Sequence, residues 1–175
     1  MKEATNEKKK IRRYWPLFAL ILIAALGAMA LVYGAQKRPL HNSAGFFAWM
    51  HFFMGFFLCQ FAMLKLFHPS DFAEGFQMYD VVAKNFRGYA YFYPFIELGL
   101  GLAYLSFTCP IAIYIITIIV MGIGAIGVIR ALRQGLDVRC ACMGTILDVP
   151  LSTVTLSEDI AMGVMACLML LTSLI

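Results

Sequence analysis

Apolar residues fall into five long blocks along this chain, separated by short stretches that are polar or basic. Inside the blocks the apolar residues run on, without the strict alternation of a half-buried strand. About 20 helical residues, at 1.5 Å each, cross the hydrocarbon core of a bilayer. The pattern therefore predicts five transmembrane helices, over Tyr14–Ala35, Ala44–Phe67, Tyr89–Phe107, Ile111–Ile129 and a last segment ending at Ile175.

The last helix is predicted to begin near Thr155. Its uncharged part, Ile160–Ile175, is short for a span, so the helix has to start further upstream. Thr155 and Glu158 have the T-x-x-E spacing of a capping box, in which the two side chains bond the first free N–H groups of a helix.

A more polar segment, residues 70–86, lies between the second and third blocks. Ser70 or Asp71 could cap a helix there. Apolar residues recur at helical spacing behind the cap, at Phe72, Phe76, Tyr79, Val82 and Ala83. Since the segment is too short and too charged to span, we predict a helix that lies in the membrane interface.

The composition agrees with lipid as the surrounding solvent. Of 175 residues, 62% are hydrophobic and 14% are charged, with a mean hydropathy of +0.80. A soluble domain has about half apolar and a quarter charged residues. A chain this short cannot hide such an excess from water. The fold class predicted is an all-α integral membrane protein.

The positive charge is concentrated at the start of the chain. Six of the fourteen Lys and Arg residues precede the first apolar block, which indicates a basic cytoplasmic tail over residues 1–13, predicted to be disordered, and not a nucleic-acid-binding surface. Residues 14–36 are too long for the core of a signal peptide and lack a clear cleavage site, which favours a retained transmembrane anchor.

The distribution of cations also predicts the topology. With five spans and a cytoplasmic N-terminus, twelve cations lie on the cytoplasmic side and two, Lys37 and Arg38, on the other. We therefore predict a multi-pass protein of the cell (inner) membrane, with the loop 132–150 in the cytoplasm.

That loop contains two cysteines separated by one residue, Cys140 and Cys142, directly after Arg139. Two such thiols can form a short, strained and therefore labile disulfide. They can also bind a soft cation such as Cu(I) or Hg(II). A neighbouring arginine stabilises the reactive thiolate. Redox chemistry, metal binding and two unpaired loop cysteines all remain open from the spacing alone.

Glu97 is an ionisable residue inside a predicted span, where such residues normally face a partner or a cavity. Lys65 and His51 from the preceding span are its candidate partners. A buried polar contact between helices is the simpler interpretation, and a proton or ion relay is the alternative. Cys59 and Cys167 lie within spans, where cysteine behaves as a small apolar residue. Cys109 lies at a turn before Pro110.

Other chemistries find no support in the sequence. It contains no P-loop, no zinc-protease motif, no histidine pair suited to haem and no Ser/His/Asp set. Hydrolysis and nucleotide-driven transport are therefore not indicated, and thiol–disulfide oxidoreductase activity is the one enzymatic hypothesis.

The order of these features resembles the methylamine utilisation protein MauE family, within the DoxX-like group of redox-associated membrane proteins. The resemblance is carried by Lys65-Leu66, by Pro94 with Glu97-Leu98, and by Cys140-Ala-Cys-Met-Gly144. In that family a Lys-Leu pair, a Pro-x-x-Glu-Leu segment and a Cys-Gly-Cys-Phe-Gly element recur in this order. Ala141 and Met143 depart from the pattern.

The resemblance implies a four-helix bundle over residues 44–175, to which the first span is an N-terminal addition. It also implies a role in thiol or disulfide handling while partner proteins mature. Cys140 and Cys142 would be the redox pair, and a thioredoxin-like protein would be the partner. The rival hypotheses are a soft-metal accessory that passes Cu(I) or Hg(II), for which a heavy-metal-binding domain would be the partner, and a structural subunit of a membrane complex. No organic cofactor is implied, and the oligomeric state stays open.

One tension follows from these predictions. Disulfides persist outside the cytoplasm, whereas the loop charges place Cys140 and Cys142 inside. One span more or fewer upstream would reverse the side of the loop.

Overall fold

The structure, a computed structural model, describes residues 2–36, 45–134 and 151–174, with side chains over 17–34, 45–134 and 155–174. Within these ranges the chain forms helices joined by short turns, and no strand occurs in them. The helices are α1 (Lys2–Gln36), α2 (Gly45–Phe67), α3 (Pro69–Tyr79), α4 (Arg87–Leu105), α5 (Pro110–Arg133) and α6 (Leu151–Leu174).

Four of the helices, α1, α2, α5 and α6, are long and apolar enough to cross a membrane. Large apolar side chains, such as Ile119 and Leu171, are exposed on their outer faces, as lipid contact requires. The predicted all-α membrane fold is thereby confirmed. Tyrosines and Glu97 make α4 less apolar, although its 19 residues would span about 28 Å. A crossing by α4 stays a prediction.

The helices pack mainly in pairs. The most extensive contacts join α2 to α4 and α5 to α6, while α1 lies along α2. The short helix α3 packs on α4 and α5 through its apolar face, which buries Phe72, Ala73 and Phe76. The apolar residues of α3 therefore pack against protein, and its predicted location in the membrane interface stays a prediction.

Two glycines bring α2 and α4 close together. A Cβ added at Gly101 would lie 2.6 Å from the Cys59 sulfur and 2.9 Å from the Gly55 carbonyl oxygen. A Cβ added at Gly55 would lie 3.0 Å from the Gly101 carbonyl oxygen. Small residues of this kind allow helix backbones to approach inside a membrane.

The prediction that the basic tail is disordered is wrong in this structure, because α1 begins at Lys2. The tail is rich in Glu and Lys, which favour helix, and it directly precedes the apolar helix. Extending a helix that already exists avoids the unfavourable nucleation step.

The helix predicted over residues 70–86 is shorter and starts earlier. It begins at Pro69, after His68 as the N-cap, so neither Ser70 nor Asp71 is the cap. Proline suits this first position because its missing N–H would have no partner there anyway. The helix ends at Asp80, where the backbone is extended and Oδ1 accepts the N–H groups of Val82 and Ala83 at 2.8 and 2.7 Å.

The predicted start of the last helix is also wrong by one turn. The helix begins at Leu151, so Thr155 lies in its second turn and the T-x-x-E spacing does not mark its N-terminus. In the sequence Leu151 follows a proline, a residue that favours the start of a helix. As a result, Glu158 and Asp159 lie inside the helix and reach the bundle interior.

Candidate functional site

A buried ion pair connects α2 and α4. The Lys65 ammonium donates to both oxygens of the Glu97 carboxylate, with 2.5 Å between Nζ and Oε2. Lys65 is 5% exposed and Glu97 is 1% exposed. A buried pair is tolerated only when its hydrogen bonds offset the loss of water around both charges, which this two-point contact achieves.

Aromatic rings surround the ammonium group. Nζ lies 5.1 Å from the ring centroid of Tyr93 and 5.6 Å from that of Phe72. At such distances the negative face of a ring attracts a cation. Phe76 packs against Tyr93 at 4.6 Å between ring centroids and extends this aromatic wall. The wall separates the charge of Lys65 from the surroundings of the bundle.

Asp159 on α6 faces the same place from the opposite side. It is 6% exposed, and its Oδ2 has no hydrogen-bond partner among the described residues. The residue opposite is Gly124 on α5, where an added Cβ would lie 2.8 Å from Oδ2. A small cavity, with room for about one water, is lined by Lys65, Tyr93, Glu158 and Asp159, among others.

Asp80 is a further buried acid near this cavity. Its Oδ1 accepts two backbone N–H groups, whereas Oδ2 has no partner among the described residues. Burial raises the pKa of Asp80, although the N–H groups of Ala83 and Val82 oppose the shift. Asp80, Glu97 and Asp159 interact electrostatically with one another or with Lys65. We call Lys65, Asp80, Glu97 and Asp159 the charged cluster.

His51 lies elsewhere and does not join Glu97. It is 14 residues before Lys65 on α2, or about 21 Å along the helix axis. Its Nδ1 is 3.1 Å from the Tyr104 carbonyl oxygen and its Nε2 is 2.5 Å from the Tyr114 hydroxyl. Because a carbonyl can only accept, Nδ1 carries the proton, and Nε2 accepts from Tyr114. This arrangement suits a neutral, packed imidazole.

The turn between α4 and α5 completes the surroundings of His51. Phe107 stacks on the imidazole at 4.3 Å between ring centroids. Phe107 and Cys109 adopt the left-handed backbone conformation, with φ of 53° and 43°. Side-chain-bearing residues rarely adopt this conformation. The stacking on His51 helps to hold Phe107 in it.

The predicted redox pair, Cys140 and Cys142, and the adjacent Arg139 lie outside the described residues. The three cysteines that are described are free. Cys59 is half-buried against Gly101, while Cys109 and Cys167 are exposed. Within the described part of the chain, no group of three or more His, Cys, Asp or Glu residues could hold a metal ion.

The structure thus brings together two of the three predicted polar residues and adds Asp80 and Asp159. Asp159 is not among the predicted site residues, because the T-x-x-E spacing places it close to the start of the last helix, where acids are common. The available signal was its position next to a long apolar run, where an acid needs a partner or a proton.

The family model of the methylamine utilisation protein MauE matches residues 43–173. The chain belongs to the MauE family. The match to the MauE family covers α2 to α6, the charged cluster and the Cys140–Cys142 pair, and leaves α1 outside. Neither the curated proteins nor the solved structures gave a significant match.

Proposed function

We propose that this MauE-family membrane protein exchanges disulfides with a partner protein through Cys140 and Cys142. The observation that carries the proposal is the Arg139-Cys-Ala-Cys sequence within the part of the chain that matches the family. Two thiols this close in sequence can be oxidised together, and the arginine favours the thiolate that attacks a disulfide. The family description adds an association with methylamine utilisation, as a membrane component of that process.

The exchange conserves electrons and protons. One thiolate of the pair attacks a disulfide of a thioredoxin-like partner and forms a mixed disulfide, releasing one partner thiolate, which takes up a proton. The second cysteine loses its proton and attacks the mixed disulfide. The partner leaves as a dithiol with two electrons and two protons, and Cys140 and Cys142 remain as a disulfide. The reverse sequence oxidises the partner.

The surrounding helices support this proposal through chain connectivity. The segment 135–150 joins the end of α5 to the start of α6. Gly124 lies nine residues before the end of α5, and Asp159, which it faces, lies eight residues after the start of α6. The charged cluster therefore contacts the two helices that this segment connects.

The experiment uses the full chain in sealed membrane vesicles, with Cys59, Cys109 and Cys167 replaced by alanine. A membrane-impermeant maleimide is applied before and after reduction. The expected result is labelling of both remaining cysteines after reduction and of neither after mild oxidation. Cys140→Ser in the same background should accumulate a mixed disulfide with an added thioredoxin-like protein, through Cys142. The matched control retains Cys109 as the single cysteine.

Three outcomes would contradict the proposal. The pair could remain fully reduced under mild oxidants, or Cys140→Ser could form no more mixed disulfide than the Cys109 control. Stoichiometric Cu(I) or Hg(II) binding by a pair that stays reduced would instead support the soft-metal function. The side from which the maleimide reacts tests the predicted cytoplasmic location of the loop.

A further inference from the structure

The charged cluster contains more acids than bases. Its members are three buried carboxylic acids, Asp80, Glu97 and Asp159, and one buried base, Lys65. Both carboxylate oxygens of Glu97 accept hydrogen bonds from Lys65. If every group were ionised, two buried carboxylates would have no cation of their own. Uncompensated buried charges are strongly unfavourable, above all in a membrane protein.

Asp159 is the acid that the structure leaves least compensated. Asp80 at least accepts two backbone N–H groups through Oδ1. Asp159 is more than nine-tenths buried, with an exposed fraction of 6%. Its Oδ2 accepts no hydrogen bond from the described residues. It also lines the cavity that Lys65 lines. A bound proton would neutralise this carboxyl group and remove the uncompensated charge.

We propose that Asp159 is a proton-binding residue, which holds one proton in the resting protein and releases it into the small cavity shared with Lys65. The cavity has room for about one water, which is enough to carry a proton. A metal cation suits the site less well. It would need several oxygen ligands, whereas the described residues contain no such group, and the Lys65 ammonium would repel it.

Charged and titratable groups face Asp159 from several helices. Lys65 on α2 is a base, while Glu97 on α4 and Asp80 after α3 are acids. Tyr93 on α4 and Tyr79 on α3 contribute neutral phenols to the cavity wall, and Glu158 on α6 lines the same cavity. From α5 the facing residue is Gly124, which brings no charge. One ammonium, already bound to Glu97, thus faces several acids.

Loss of the proton would have a structural consequence. The Asp159 carboxylate would become a second acceptor for Lys65, in competition with Glu97. Because Glu97 belongs to α4 and Asp159 to α6, the protonation state of Asp159 would determine whether Lys65 binds a carboxylate of α4 or of α6. This proposal involves none of the cysteines, so it stands or fails independently of disulfide exchange.

The test is infrared spectroscopy of the full-length protein in lipid nanodiscs, with ¹³C-labelled aspartate. The label shifts the carboxylic-acid C=O band of aspartates and excludes Glu97 from it. We expect a protonated aspartate band at about pH 7, far above the ordinary aspartate pKa of about 4. The band should disappear in Asp159→Asn and persist in Asp71→Asn, which changes an exposed aspartate on α3. Asp80→Asn identifies any share that Asp80 contributes.

Several results would overturn the proposal. One is a wild-type protein without any protonated aspartate band at about pH 7, a result that needs no variant to fold. Another is a band that survives in Asp159→Asn but vanishes in Asp80→Asn. The infrared measurement is repeated with choline chloride in place of sodium chloride. A band that appears only when sodium is removed would show that Asp159 binds sodium in its place.

Discussion

The two ends of α2 bury polar groups in different ways. Near its start, His51 is neutral and has a hydrogen-bond partner for each ring nitrogen, the Tyr104 carbonyl and the Tyr114 hydroxyl. Near its end, Lys65 is charged, binds Glu97 and lies beside further acids. At the His51 end both imidazole nitrogens have neutral partners, although the buried Tyr104 hydroxyl has none among the described residues. The Lys65 end keeps a carboxyl oxygen of Asp159 without a donor.

This difference indicates where chemistry is to be expected. A neutral imidazole with a partner on each nitrogen gives rigidity and a defined packing. A buried cluster with one base, three acids and a cavity can change its proton content, and ionisable groups inside membranes commonly mark such sites. We therefore expect a structural role for the His51 end and propose a functional one for the charged cluster.

The largest expected effect comes from Lys65→Met. The methionine has a similar volume but leaves Glu97 and its neighbouring acids without a buried cation, which should cost about 3–5 kcal/mol of unfolding free energy. Denaturant titration in detergent micelles measures the loss. Lys84→Met, at an exposed position, is the control and should change little. Adding Glu97→Gln to Lys65→Met should recover part of the loss. A Lys65→Met protein as stable as the control would mean that the charges at this end have no special role.

A second prediction concerns the contact between α2 and α4 that lies between the two ends. Gly101→Ala places a methyl group against the Cys59 sulfur and the Gly55 backbone, and overpacking of this kind costs about 1–3 kcal/mol. Gly99→Ala on the same helix is the matched control, since nothing lies within 4 Å of its added Cβ. In Gly101→Ala, amide hydrogen exchange should become faster at both ends of α2. Loosening at one end alone would contradict the idea that this contact serves both.

The smallest effect is expected at the His51 end. Tyr114→Phe removes the hydroxyl that donates to His51 Nε2, which should cost about 0.5–1.5 kcal/mol. Tyr91→Phe, at an exposed position on α4, is the control and should be neutral within error. Thermal unfolding in detergent compares the two. If Tyr114→Phe destabilised the protein as much as Lys65→Met, the proposed difference between the two ends would be wrong.

Much of the fold could be predicted because lipid imposes a simple rule. A helix that meets hydrocarbon has to be apolar over about 20 residues, so α1, α2, α5 and α6 were visible in the sequence. The boundaries were less predictable, because single residues decide them. Asp80 ends α3 by binding the N–H groups of Val82 and Ala83, and this needs a backbone geometry that its sequence neighbours do not reveal.

The charged cluster was predictable only in part. Glu97 lies within a predicted span, and Lys65 is the one Lys or Arg within the predicted span before it. Asp159 was missed because two acids at the start of a helix are usual there and stabilise it. In the structure α6 begins one turn upstream of the capping signal, and Glu158 and Asp159 both line the cavity inside the bundle. The pairing of α5 with α6, which brings Gly124 against Asp159, has no signature in the sequence.

The limited apolarity of α4 has a consequence for the biosynthesis of this protein. A helix with an ionisable residue near its middle enters a bilayer less readily by itself, at a cost of about 2.5–3.5 kcal/mol for the charged residue. Since Lys65 precedes Glu97 in the chain, α2 is already synthesised when α4 leaves the ribosome. We expect the translocon to release the two helices as a hairpin, with their opposite charges joined before either meets lipid.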